Sequence, residues 1–275
     1  MPHFHEIHKA LAEPVAHLHN TTGPSGLTSH TLTTGAPHMS RSLSLPTLAT
    51  FLLAALLTSF AVPAPAADVE EGFTPIFNGK DLTGWEGNLT NWCVEDGAIT
   101  GETGPTKPAT HCNYLFWRGG KPADFELRCL FRVSAKGNSG IQFRSRELPE
   151  FDVAGYQADI EGGPNYMGNL YDCSGRLTIA NRGQNVVIHE NGKREITSLG
   201  DPDALQKLVK LDDWNAYRII ARGHDITLTI NGAVMSHTID RETGKATLDG
   251  LIALQLHNGL PMKAQFKNIR LKNLD

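Results

Sequence analysis

Three stretches of the chain alternate strictly between apolar and polar side chains, and this alternation restricts the fold more than any other feature. They lie at 138–144, 156–161 and 251–257. A period of two places successive side chains on opposite faces of a β-strand. The apolar set comprises Ile141, Phe143, Tyr156, Ala158, Ile160, Ile252, Leu254 and Leu256; the polar set comprises Gln142, Arg144, Gln157, Asp159, Glu161, Gln255 and His257. We predict a sheet with a polar, concave working face; ordinary exposed strand positions are the alternative.

The remaining pattern favours an all-β fold. Short apolar runs are separated by turn signals such as Asn231-Gly232, which is typical of a two-residue hairpin turn. Asp201 followed by Pro202 predicts the start of one short helix. Strands do not alternate with helices along the chain, so a parallel sheet is not expected. We therefore predict a two-sheet antiparallel β-sandwich or jelly roll with one short helix.

The N-terminal part has the layout of a secretory signal. Residues 1–38 are histidine-rich without apolar periodicity, and we interpret them as a disordered extension before the true start; a metal-binding tract is the alternative. Residues 39–66 contain Arg41, an apolar core too short for a membrane span, and small residues that predict cleavage after Ala66. We expect an exported protein, periplasmic or secreted, with one domain at 67–275.

Composition excludes several partners and cofactors. The net charge of -4 and the dispersed lysines and arginines do not predict nucleic-acid binding. Cys93, Cys112, Cys129 and Cys173 form no C-x-x-C pair, so no zinc site is expected, although export would permit a Cys93–Cys112 disulfide. We predict no cofactor and no protein metal site. A calcium ion held by loop oxygens would leave no mark in the sequence.

An ordered set of motifs carries a family resemblance. The motifs are G-F-T-P-I-F-N-G-K-D-L-T-G-W, W-C-V-E-D-G-A-I-T-G, N-S-G-I-Q-F-R, G-Y-Q-A-D-I, G-N-L-Y-D and I-A-L-Q-L-H-N-G, and they extend over 72–274. In this order they resemble the 3-keto-disaccharide hydrolase domain family. The resemblance implies a concanavalin-like jelly roll. It also implies cleavage of glycosides whose sugar has first been oxidised at C3 by a partner sugar 3-dehydrogenase.

Such a reaction requires a base, an acid and a group that stabilises an oxyanion. A ketone at C3 acidifies the proton on C2 and lies β to the glycosidic oxygen, so elimination followed by hydration would give net hydrolysis. Asp159 and His257 are the predicted acid–base pair, in either order, and Arg144 is predicted to hold the enolate oxygen. The predicted substrate-binding residues are Gln142, Gln157, Glu161, Tyr171 and Gln255.

Alternatives remain for these residues. Arg144 with Asp159 or Glu161 could form only a cross-strand ion pair. Asp159 and Glu161 could instead act as the carboxylate pair of a conventional glycosidase. His257 could be a structural histidine at a strand end, and Tyr171 a half-buried aromatic. At the level of the whole protein, the alternatives are a non-catalytic lectin-like carbohydrate-binding module and a structural interaction domain.

Overall fold

The computed structural model describes residues 70–274, and most of them lie in β-strands. The strands are β1 (Thr74–Pro75), β2 (Trp85–Gly87), β3 (Trp92–Glu95), β4 (Ala98–Thr103), β5 (Asn113–Trp117), β6 (Phe125–Val133), β7 (Asn138–Leu148), β8 (Asp152–Glu161), β9 (Leu170–Cys173), β10 (Leu177–Ala180), β11 (Gln184–Ile188), β12 (Arg194–Ser198), β13 (Asn215–Arg222), β14 (Asp225–Ile230), β15 (Ala233–Asp240), β16 (Leu251–Leu256) and β17 (Met262–Asn273). A short 3-10 helix (Pro149–Phe151) precedes β8, and α1 (Pro202–Gln206) precedes β13.

The strands form two sheets. One has the order β12-β11-β15-β14-β13-β6-β17-β4-β3, with β1 paired to β17, and the other has the order β10-β9-β8-β7-β16-β5-β2. Neighbouring strands are antiparallel except for β11 and β15, which run parallel. The predicted two-sheet antiparallel sandwich with one short helix is therefore confirmed for the described residues.

Local sequence signals account for the predicted turn and helix. Asn231 and Gly232 have φ angles of 50° and 86°, as a type I′ turn requires, and they connect β14 to β15. At the start of α1, the Asp201 carboxylate accepts a hydrogen bond of 3.0 Å from the Asp203 N–H. This contact satisfies one of the backbone donors that a helix leaves free at its first turn.

The core lies between the two sheets. Ile141, Phe143, Ala158 and Leu254 of the seven-stranded sheet are buried, as are Leu127, Phe131, Ile219, Leu228 and Phe266 of the ten-stranded sheet. Burying one such large side chain stabilises the fold by about 1.5–3 kcal/mol. The apolar set of the alternating strands therefore faces the core, and the opposite face of the seven-stranded sheet carries most of the polar set.

Arg144 departs from the predicted alternation, and its placement on the polar face is wrong. The β7–β8 register shifts between Phe143 and Arg146, and Arg144 has a φ of 47°. A β-bulge inserts one extra residue into a strand and reverses the direction of a side chain. The Arg144 guanidinium is 1% exposed and donates to the carbonyls of Ala123 (2.7 Å) and Gly223 (2.6 Å). Its ion pair is with Asp124, so the pair considered with Asp159 or Glu161 is not formed.

Other predictions concern the chain termini and the cysteines. The predicted extension and signal, residues 1–66, lie outside the described residues. All four cysteines are free thiols, so the disulfide considered between Cys93 and Cys112 is not formed. Across 70–274, no helix has the length and apolar character needed to cross a membrane.

Candidate functional site

The polar face lies on β8, β7 and β16, which are adjacent strands of the seven-stranded sheet. Gln142 lies opposite Gln157, while Gly140 lies between Asp159 on one side and Gln255 on the other. A Cβ atom on Gly140 would approach the Cγ of Gln157 to 2.5 Å. The absence of a side chain at Gly140 therefore makes room for Gln157 over the centre of the sheet. Four predicted site residues are brought together here.

A row of hydrogen bonds crosses this face and ends at Asp159. The Ser145 hydroxyl donates to Oε1 of Gln142 (3.0 Å), and Nε2 of Gln142 donates to Oε1 of Gln157 (2.5 Å). Nε2 of Gln157 then donates to Oδ1 of Asp159 (2.7 Å). Because each amide is held at both ends, the row fixes the orientation of the Asp159 carboxyl group.

The Asp159 carboxyl group is buried without a cationic hydrogen-bond partner among the described residues. It is 6% exposed, and burial raises its pKa to about 8. The Gln157 hydrogen bond opposes this rise, the charge of Glu161 adds to it, and the charge of His257 opposes it. A carboxyl group that titrates near the working pH can both take and return a proton, which is the property of a general acid–base catalyst.

His257 follows β16 directly and lies at the same end of the face as Asp159. Its Nδ1 is 2.8 Å from the Asn258 carbonyl, so Nδ1–H is the donor. The pKa of His257 is raised to about 9, mainly by the contact with Cys112. The Asn258 carbonyl and the charge of Asp159 also raise this pKa, whereas burial lowers it. Asp159 and His257 therefore lie close enough for each to shift the titration of the other.

Other residues make part of this face less polar than predicted. Tyr114 and Phe116 of β5 pack with Cys173 and Ala253 in an apolar cluster that also contacts Tyr171. The hydroxyl of Tyr114 accepts a hydrogen bond of 3.1 Å from Nε2 of Gln255. The sequence does not reveal that these residues reach the face, because N-Y-L-F-W is apolar on both sides of the strand and shows no alternation.

Tyr171 and Glu161 flank the face. Tyr171 lies opposite Gln157 and is half-buried; burial, with the neighbouring Cys173 and Asp159, raises its pKa to about 12. The Glu161 carboxylate accepts two backbone hydrogen bonds of 2.8 Å, from the N–H groups of Asn165 and Tyr166. Glu161 is therefore engaged with the chain that follows it.

A cavity of about 470 Å³ opens at the end of the sheet where Glu161 and His257 lie. Asn138, Asn258 and Lys136 also line it. Lys136 is the one lysine or arginine that lines it, is exposed, and forms no ion pair with the described residues. Strand alternation does not single out Lys136, which lies two residues before the N-S-G-I-Q-F-R motif, in the turn that precedes β7.

A larger cavity, of about 910 Å³, lies toward the opposite end of β7 and β8. It contains neither Asp159 nor His257, and the guanidinium of Arg176 on its wall is bound by carboxylates. We place the candidate site at the smaller cavity because His257 lines it and Asp159 lies at the same end of the polar face, near enough for its charge to act on His257. Within 70–274, no group of three or more His, Cys, Asp or Glu side chains could hold a metal ion; the prediction that the protein has no cofactor stays untested.

Two solved structures share the fold. A candidate glycosyl hydrolase from Parabacteroides distasonis has a TM-score of 0.50 and 18% identity, covering 74% of this chain and 99% of that chain. A Bacillus subtilis protein of unknown function with a galectin-like fold has a TM-score of 0.50 and 12% identity, covering 73% of this chain and 94% of that chain. At these identities the likeness concerns the fold alone.

Sequence comparison adds a more specific relation. A 3-keto-disaccharide hydrolase from Bacteroides thetaiotaomicron is 25% identical over 181 residues, which are 62% of this chain and 58% of that relative. The match thus covers less than two thirds of the relative's length. Residues 72–272 match the 3-keto-alpha-glucoside-1,2-lyase-like domain. The resemblance carried by the sequence motifs is confirmed, and the chain belongs to the 3-keto-alpha-glucoside-1,2-lyase-like domain family.

Proposed function

We propose that this protein cleaves the glycosidic bond of 3-keto-glycosides, with Asp159 as the base and His257 as the acid. Family membership supports the substrate class. The observation that carries the proposal is the placement of these two groups at one end of one sheet face, each within range of the other's charge. A base must be deprotonated while its acid is protonated, and a base pKa of about 8 below an acid pKa of about 9 permits this.

The first step is an elimination. The Asp159 carboxylate removes the proton on C2, and the electron pair forms the enolate of the C3 ketone. The enolate then expels the glycosidic oxygen from C1, and the His257 imidazolium gives that oxygen its proton. The products are an alcohol and a sugar with a C1–C2 double bond conjugated to the ketone. Addition of water across this double bond completes a net hydrolysis.

Lys136 is the cation that we assign to the enolate oxygen. Arg144 was predicted for this role, but its guanidinium is saturated by carbonyls and Asp124 away from the polar face. Lys136 lines the cavity that also contains His257 and has no competing carboxylate partner among the described residues. A fixed positive charge near a developing oxyanion in a partly enclosed site stabilises the transition state.

The amide side chains on the polar face are assigned to the sugar hydroxyls. Gln142 and Gln157 form a hydrogen bond with each other. The buried Oε1 of Gln255, in contrast, has no partner among the described residues. A buried acceptor without a donor is unfavourable unless a ligand supplies one. Oε1 of Gln255 is therefore assigned to a substrate hydroxyl.

We also propose an upstream enzyme and a cellular location for the reaction. The elimination requires a ketone at C3 and does not itself produce one, so a sugar 3-dehydrogenase is assigned upstream. The signal predicted at 39–66 supports export, with the reaction in the periplasm or outside the cell.

The test uses trehalose and 3-keto-trehalose with the full chain, each with and without chelator. Glucose release from 3-keto-trehalose alone supports the proposal, as does its loss in Asp159→Asn and His257→Ala. Asp249→Asn and His189→Ala serve as controls, since Asp249 lines the other cavity and His189 pairs with Glu195 away from the site. Release from unoxidised trehalose would indicate a conventional glycosidase. Binding without cleavage of either sugar would favour the lectin-like module.

A further inference from the structure

The loop 162–169 joins β8 to β9 beside the candidate site, and Glu161 holds it from one side. Oε2 of Glu161 accepts hydrogen bonds of 2.8 Å from the N–H groups of both Asn165 and Tyr166. Gly163 packs against the same carboxylate, where a Cβ atom would lie 3.0 Å from Oε1. Charge-assisted hydrogen bonds to backbone N–H groups are stronger than neutral ones, so this carboxylate fixes the first half of the loop.

Arg182 holds the loop from the other side. Its guanidinium donates to the carbonyls of Met167 (2.7 Å) and Pro164 (2.8 Å), and the residue is 7% exposed. The N–H of Gly168 also donates to the carbonyl of Asp159 (3.0 Å). The loop therefore keeps one conformation before any ligand arrives, and its position is tied to the strand that carries Asp159.

Tyr166 is the side chain that this rigid loop leaves in solvent. It is 47% exposed, and it is the one aromatic residue among the largely exposed hydrophobic side chains of the described residues. The N–H of Tyr166 is bound by Glu161, which lines the candidate cavity, so Tyr166 lies directly beside that cavity. A well-held loop that exposes an aromatic ring next to a candidate site is arranged for contact with a ligand.

We propose that Tyr166 is the stacking platform of a sugar-binding subsite, in which its ring contacts the C–H face of a pyranose in the substrate. This inference rests on the proposed function for its substrate class. A tyrosine ring offers an apolar face together with a polar hydroxyl, which suits a sugar that has both kinds of surface. Because the loop is already ordered, binding does not carry the cost of ordering it. Glu161 and Arg182 are positioning residues that act through Tyr166.

The experiment compares Tyr166→Ala and Tyr166→Phe with Leu211→Ala, a similarly exposed side chain that lies between α1 and β13, outside the loop 162–169. Trehalose binding is measured by titration calorimetry, and kcat and KM are measured with 3-keto-trehalose, after thermal melting has confirmed that each variant is folded. We expect Tyr166→Ala to weaken trehalose binding and raise KM by about 5- to 10-fold. Tyr166→Phe is expected to retain most of the affinity, and Leu211→Ala all of it.

The role of Glu161 in positioning Tyr166 can be measured separately. Glu161→Ala releases the two N–H groups and should raise KM, whereas Glu161→Gln keeps an acceptor oxygen and should restore most of the affinity. In Glu161→Gln the acid limb of the kcat profile should move to slightly lower pH, because the substitution removes a charge that adds to the raised pKa of Asp159, and both limbs should remain, because Glu161 transfers no proton in this account.

The outcomes separate the subsite from the proposed function. Unchanged binding in folded Tyr166→Ala would overturn the subsite even if Asp159→Asn abolishes cleavage. Trehalose binding that is weakened by Tyr166→Ala, in a protein that cleaves neither sugar, would support the subsite and overturn the proposed activity. A wild-type protein that binds neither sugar would contradict the subsite.

Discussion

Toward its two ends, the sandwich holds two buried acids in opposite electrostatic environments: Asp240 of the ten-stranded sheet and Asp159 of the seven-stranded sheet. At one end, Asp240 is bound by the Arg176 guanidinium at 2.7 Å and by the Tyr156 hydroxyl. Burial opposes ionisation there, but these hydrogen bonds hold the pKa of Asp240 below its usual value. At the other end, the Gln157 amide is the only side-chain donor to Asp159 among residues 70–274, and burial raises the pKa of Asp159 to about 8.

This difference shows how to distinguish a structural acid from a reactive one in the same sandwich. A buried carboxylate next to an arginine stays ionised and stabilises the fold, and it does not exchange protons near neutral pH. A buried carboxyl group without such a partner titrates near neutral pH and is available for proton transfer. The following predictions change one end of the sandwich at a time, from the largest effect to the smallest.

Asp159→Asn is expected to lower kcat for 3-keto-trehalose by about 10²- to 10⁴-fold, because the amide cannot take the C2 proton. Its melting temperature should not fall, since the substitution removes no ion pair. Steady-state kinetics and thermal melting measure the two effects. Retention of near wild-type kcat would remove Asp159 from the mechanism.

Arg176→Met is expected to lower the free energy of unfolding by about 3–5 kcal/mol, because it leaves the buried carboxylates of Asp240 and Asp172 without their ion-pair partner. Urea denaturation measures this change. Arg118→Met is the matched control: Arg118 pairs with Glu86 and Glu147 in more exposed positions, where about 0–1 kcal/mol is expected. Folded Arg176→Met should keep its kcat; a variant that loses kcat without losing stability would contradict the comparison.

The raised pKa of Asp159 should also make the free energy of unfolding depend on pH. The pKa of Asp159 is about 8 in the folded protein and about 4 when unfolded, so the folded state binds the proton more tightly. The free energy of unfolding should therefore fall as the pH rises from about 4 to about 8. The raised pKa of His257 extends this fall to about 9. In Asp159→Asn the free energy of unfolding should fall less steeply with pH. Denaturation curves measured across this pH range would argue against the raised pKa if the variant and the wild type showed the same dependence.

Cys112→Ala tests a smaller electrostatic effect. The wild-type kcat/KM should rise toward pH about 8, where Asp159 loses its proton, and fall above about 9, where His257 does. Since Cys112 is the main contributor to the raised pKa of His257, Cys112→Ala should move the alkaline limb to lower pH. The acid limb should stay in place. Cys93→Ala, at an exposed position, is the control, and an unmoved alkaline limb in Cys112→Ala would exclude the assigned contact.

Strand alternation was sufficient to predict much of the sheet and part of the site. Gln142, Gln157, Asp159 and Gln255 share one face because the period of two is strict on three neighbouring strands. The same rule failed at Arg144, because the bulge adds a residue that the pattern of apolar side chains does not reveal.

The remaining site residues depend on contacts that no single segment encodes. Tyr114 reaches the face because β5 pairs with β16, more than a hundred residues later in the chain. Lys136 and Tyr166 come from connections between strands, whose side-chain directions follow from the folded loops and not from a period. Their roles could be inferred only after the sheet order had placed those loops at the same end as Asp159.

The most direct test of the account is the rate of glucose release from 3-keto-trehalose that carries deuterium at C2 of the oxidised ring. If Asp159 removes the C2 proton in the slow step, release should be slower from the deuterated sugar, and solvent hydrogen should appear at C2 in the product. Equal rates for the two sugars, with no solvent hydrogen at C2, would contradict the elimination and the role of Asp159 as its base.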